Sequence, residues 1–255
     1  MISPALVTYT LKAAFRDKLL WAALVMVVLT VSLSLFSASS AVVEKDQFAI
    51  VYMASGLRMF ALISLILFVV FFIRRSFDAR DIEYLLTRPV SRASLILSTS
   101  VAISFLAFLA GIVLALIVYG FAFKLGETEG VLLWMLGVTA ELVLMVNVAL
   151  FFSMVLSSPV TAGMAVMGFY VLARMMGTLL GIIREPTGFV GETVLVPATK
   201  IISVLVPRLD LMTQTSWLIY GTGNITDYVF IIIQAAVFLG LVLVATLIDL
   251  VRRQF

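Results

Sequence analysis

Three ionisable residues, Arg58, Glu141 and Arg174, stand inside otherwise apolar stretches of this 255-residue chain. At bilayer depth a charge is costly unless it is paired, hydrated or close to the interface. Glu141 lies ten residues from one end of its apolar run, and Arg174 nine residues from the same-side end of the next. At about 1.5 Å per residue, both are roughly 14–15 Å deep. Adjacent antiparallel helices would bring these opposite charges to one level, so the pattern predicts a Glu141–Arg174 ion pair. Two uses of such a pair stand open: fixing helix register, or lining a polar path for a substrate. Arg58 lies nearer the outer end of its run and is expected to snorkel. Asn147, on the same run as Glu141, is expected to bond across helices.

Other chemistry is limited by the residues that are missing. The chain has no Cys and no His. That removes thiol catalysis, thiolate or imidazole metal sites and the usual general base, and no metal site is expected. One embedded carboxylate does not make a convergent acid–base set, so an intramembrane enzyme is disfavoured. The 12 Met residues are scattered through the apolar runs, where filling gaps is the ordinary role of methionine. No GxxxxGK[ST] phosphate cradle is present, and no cofactor is expected on this chain. A net charge of +3 is too small to suggest a nucleic-acid partner.

The elements that must position these residues are membrane helices. Hydrophobic residues make up 63% of the chain and charged residues 12%, against about 25% charged in soluble domains. Six apolar runs approach or exceed the roughly 20 residues a bilayer span needs: residues 19–37, 48–73, 93–123, 131–156, 160–183 and 228–248. None alternates with period two, so helices are expected rather than barrel strands. The expectation is an all-α integral membrane protein of six transmembrane helices, one domain over residues 1–255. Residues 1–18 read as an interfacial helix, with Val7, Leu11, Ala14 and Phe15 on one stripe. Ser157-Ser158-Pro159 is a tight turn between the fourth and fifth spans. Gly177 and Gly181 form a GxxxG, which predicts close helix packing within one subunit.

Charge distribution predicts orientation. With both termini and residues 74–92 on one side, that side holds ten basic residues: Lys12, Arg16, Lys18, the five arginines of 74–92, Arg252 and Arg253. That side is expected to be cytoplasmic. The 44-residue segment 184–227 then lies outside. Its apolar part, 194–206, is too short and too Pro-interrupted to span, and is expected to be re-entrant or interfacial. Trp217, Tyr220 and Tyr228 suit an outer aromatic belt.

Residues 74–92 are patterned beyond the needs of a connector. Phe77, Ile82, Leu85 and Leu86 could line one side of a short helix, with Asp78, Asp81 and Glu83 near its start, where acid is favourable. Pro89 pushes Arg88 out of helical geometry, and Ser91 can cap the third span. Such a charged amphipathic helix is suited to being held by something in the cytoplasm.

This arrangement, together with Asp81-Ile82-Glu83-Tyr84-Leu85-Leu86-Thr87-Arg88-Pro89-Val90-Ser91-Arg92, resembles the permease subunits of ABC-2 type transporters. Within that family it is similar to the branch linked to multi-copper enzyme maturation. Val206-Pro207-Arg208-Leu209-Asp210-Leu211 is similar to a "P-x-L-D" element that often precedes the last span. The Gly-Thr usual before the leucine pair is absent here. The resemblance implies a dimeric permease in a bacterial inner membrane, driven by separate ABC ATP-binding subunits that carry ATP and Mg. Phe77, Asp78, Asp81, Ile82, Glu83, Leu85, Leu86, Arg88, Pro89 and Arg92 would then form the coupling helix and its flank, seated on the ATPase. Residues 1–18 would be the connecting helix. The cargo is expected to be amphiphilic or lipid-like and to move outward. The alternative is a scaffold that does not transport but relays ATPase motion to a periplasmic partner.

Overall fold

The computed structural model describes residues 3–16, 18–39, 45–78, 91–123, 128–184, 206–221 and 224–252. The helices are α1 (Pro4–Arg16), α2 (Lys18–Ser39), α3 (Lys45–Asp78), α4 (Arg92–Ala122), α5 (Thr128–Val155), α6 (Pro159–Arg184), the single turn α7 (Trp217–Tyr220) and α8 (Ile225–Arg252). A 3₁₀ turn, Leu209–Leu211, precedes α7. Five helices, α3, α4, α5, α6 and α8, are long and apolar enough to cross a membrane, as expected of an all-α multi-pass membrane protein. The first expected span, 19–37, falls within the 22 residues of α2, whose apolar stretch Leu24–Ser37 is shorter than those five.

Local chemistry sets the helix ends. Ser91, extended at φ −68° and ψ 147°, accepts a hydrogen bond from the Ser94 amide and caps α4, as a serine N-cap should. Pro159 starts α6, where its missing N–H costs nothing. Within the helices, Thr30, Ser98, Thr139, Ser153 and Thr246 each donate to the carbonyl four residues back. Their hydroxyls are thereby satisfied without water.

α5 is central, packing on α3, α4, α6 and α8, while α2 lies on α3 and α1 on α4. In their most apolar windows α3 and α5 are 61% buried, against 22% for α6 and 17% for α8. The last two therefore present large apolar faces outward. α1 docks through the Ser3 amide, 2.8 Å from Ser98 Oγ, and through Tyr9, whose ring lies 6.4 Å from that of Phe72. Its buried stripe runs through Thr10 and Ala14, whereas Phe15 points away and is 63% exposed. The expected stripe is thus rotated, because α1 rests on α4 and its hydroxyl-bearing Thr10 is satisfied by Leu6 O.

α3 continues through Phe77 and Asp78 as one helix of 34 residues. These two residues therefore end α3 and do not open a separate coupling helix. Nothing between Ile73 and Asp78 is a helix breaker, and Ser76 Oγ bonds back to Phe72 O. Arg92 is the first residue of α4. Asp81, Ile82, Glu83, Leu85, Leu86, Arg88 and Pro89 lie outside the described residues, as do residues 194–205 of the expected re-entrant stretch.

Candidate functional site

Residues 206–221 enter the helix bundle. Leu209, Met212, Thr213 and Leu218 are fully buried. Two glycines on α5, seven residues apart and so on one face, admit this segment. A Cβ on Gly130 would lie 1.8 Å from Trp217 O, and one on Gly137 1.8 Å from Met212 O. No other residue type leaves room for those carbonyls. Gly137 is nine residues into α5, so the segment reaches about 14 Å along that helix. Gly221, at φ 63°, closes α7 in the left-handed region where glycine is favoured. Trp217, expected in the interfacial belt, is instead buried against α5 with 7% exposure, because its turn is seated on Gly130. Tyr220 does face outward, at 80% exposure.

The inserted Thr213 meets all three intramembrane charges. Its hydroxyl donates to Glu141 Oε2 and accepts from Arg58 Nη1 at 3.1 Å and Arg174 Nη1 at 2.7 Å. Its carbonyl accepts from Arg58 Nη1 at 3.0 Å and Arg174 Nη2 at 2.8 Å. A threonine hydroxyl offers one donor and two lone pairs, and a carbonyl two lone pairs. Every one of these is in use. Arg174 Nη1 also donates to Leu209 O at 2.6 Å.

Glu141, with no exposed side-chain area, lies 3.8 Å from Arg174 Nη1, so the expected pair forms. Arg58 joins it, with Nε 4.0 Å from Glu141 Oε1. That gap leaves both atoms without a hydrogen bond. Arg58 does not snorkel: only 8% of its side chain is exposed, since Thr213 and Glu141 supply inside the bundle what water would supply outside it. Arg208 and Asp210 form their own pair at 2.9 Å. Arg58, Arg174 and Arg208 against Glu141 and Asp210 leave this embedded group with a net charge of +1.

Asn147 forms a second, neutral site between α4 and α5. Its Oδ1 accepts from Ser100 Oγ, and its Nδ2 donates to Ser104 Oγ and Val143 O, both at 2.8 Å. Gly177 does allow close approach, but of the Asp210 carboxylate rather than a helix. Its Cβ would lie 2.3 Å from Asp210 Oδ2. Gly181 meets nothing within 4 Å among the described residues, so the GxxxG does not act as a pair there. Thr213, Gly130 and Gly137 were not singled out from sequence. The seven-residue glycine spacing on α5 was the available signal, and Thr213 offered none.

The arrangement can clamp a non-helical segment between three helices and hold a fixed positive charge inside an apolar body. Compared with known proteins, the chain matches no protein-family model and no curated protein.

Proposed function

We propose that the chain is the membrane-spanning permease subunit of an ABC-2 type exporter. In this reading it has six spans, with α2 as the first, and both termini on the cytoplasmic side of a bacterial inner membrane. It pairs with a second permease copy and takes its energy from ATP and Mg on separate ATP-binding subunits. The supporting observation is the path of α3. One unbroken helix runs from Asp78, at the edge of the Arg-rich loop 74–92, to Arg58, which grips the inserted Thr213. Those 20 residues span about 30 Å at the helical rise. A push on the loop would reach the inserted segment as rigid-body motion of α3. α1 lies against the same end of the bundle through Ser98 and Phe72, where a connecting helix would sit. The cargo favoured by these apolar outer faces is amphiphilic or lipid-like.

The tie between α3 and residues 206–221 also favours a second reading, a scaffold that passes ATPase motion to an outer partner without moving a cargo. ATP turnover that rises with an added amphiphile in lipid supports the exporter, and turnover that responds only to a protein partner supports the scaffold. The proposal itself is tested by copurifying the chain with its ATP-binding subunit. Charge reversal at Asp81 and Glu83 (D81K with E83K) is expected to abolish complex assembly and coupled ATP turnover. If both are unchanged, loop 74–92 is not the coupling element.

A further inference from the structure

The embedded charges do not cancel, and the imbalance sits beside an apolar furrow. Arg58 and Arg174 face the single carboxylate of Glu141, while Asp210 is taken by Arg208. An uncompensated charge in a low-dielectric interior calls for a counter-ion. Arg174 is the accessible member, with 25% of its side chain exposed, whereas Glu141 is closed off. Arg58, beside it, is 7% exposed and keeps a buried Nε without a hydrogen bond.

Along α6, Arg174, Tyr170, Met167 and Gly163 recur at spacings of four, three and four, and so form one stripe facing α3. Below Arg174, Tyr170 donates only to the weak sulfur acceptor of Met59, at 3.5 Å. Farther along, Gly163, Met164 and Met167 join Ile63, Leu67 and Phe71 of α3 around a furrow of about 350 Å³. From Arg174 to Gly163 is eleven residues, about 16 Å. A positive group thus stands at one end of an apolar trough that runs along the bundle, in the order of head and tail in one leaflet.

We infer that this seam binds an anionic single-chain amphiphile of the bilayer. Its phosphate or carboxylate head is held by Arg174 and its acyl chain lies in the α3–α6 furrow. The inference rests on the exporter reading for its meaning as a cargo site, but binding itself does not require that reading. Arg174 reads the head by charge, and the furrow reads the tail by shape.

The test is thermal unfolding of the full chain in phosphatidylcholine nanodiscs. Dodecyl phosphate is expected to raise Tm, whereas uncharged dodecyl maltoside and inorganic phosphate are not. Arg174→Gln is expected to remove the response, and Arg174→Lys to retain part of it. Gly163→Leu, whose Cβ meets nothing within 4 Å, is expected to fill the furrow and weaken binding roughly tenfold, about 1.4 kcal/mol. If Arg174→Gln does not fold, the lysine and leucine variants decide.

An equal shift with inorganic phosphate means an adventitious ion only and overturns the inference. An equal shift with dodecyl maltoside overturns it too, as does a response that survives Gly163→Leu. A Gly163→Leu variant that turns a dimer into monomers with the response intact means a second copy fills the furrow. Binding without ATPase-coupled turnover removes the exporter reading and leaves the site. Turnover without binding removes the site and leaves the exporter.

Discussion

Glu141 and Asn147 lie on the same helix, six residues apart, and do opposite things with their polarity. Asn147 is neutral, and its amide is satisfied by two serines of α4 and its own helix. Glu141 is charged, keeps one oxygen without a hydrogen bond and faces two arginines. Its hydroxyl partner arrives on a segment that is not part of a continuous span. The first site joins two helices permanently. The second joins α3, α5 and α6 through a guest segment, so any motion that separates those helices must break it. Neutral, closed networks suit fixed contacts, whereas charged, shared ones suit contacts whose occupancy matters.

The sharpest break of this contrast is Glu141→Gln. Removing the carboxylate leaves two buried arginines with no counter-charge, and a loss of about 3–5 kcal/mol is expected, read by denaturant unfolding in detergent. A loss comparable to that of a neutral hydrogen bond would mean that the arginines do not depend on Glu141. Next is Gly137→Ala, whose added methyl collides with Met212 O. It is expected to cost about 1–3 kcal/mol as overpacking does, and to lift residues 206–221 from the bundle. The native chain lacks cysteine, so thiol labelling of a Met212→Cys reporter measures this directly. The reporter should be protected alone and reactive with Gly137→Ala. Labelling that does not change would show the segment to be held without its glycine seat. The smallest effect belongs to Asn147→Leu. Bonds between membrane helices average about 0.6 kcal/mol, so a loss near 1 kcal/mol is expected by the same unfolding assay. A loss matching that of Glu141→Gln would erase the distinction between the two sites.

Much of the site was legible because depth in a helix is a linear count. Glu141 and Arg174 could be matched in level from residue numbers alone, and a connection as short as Ser157-Ser158-Pro159 made their helices neighbours. Ser91 was readable as a cap for the same local reason. Arg58 was misjudged because snorkelling assumes water as the only partner. A buried carbonyl and hydroxyl can replace water, but they come from Thr213, 155 residues away. Trp217 was misplaced likewise, its belt position overridden by the seat that Gly130 provides.

The amino-acid sequence by itself determined that this is a multi-pass helical membrane protein, and it marked the residues whose charge has to be answered. Apolar length and helical rise are properties of contiguous residues, and they need no fold to act. Only the tertiary structure decided what answers those charges. Thr213 reaches them because residues 206–221 turn inward over two glycines, and hydrogen-bond partners chosen across such distances are set by the path of the chain rather than by any local pattern. The net positive charge that remains beside the α3–α6 furrow is likewise a fact of assembly, visible once Arg208 is seen to take Asp210 for itself.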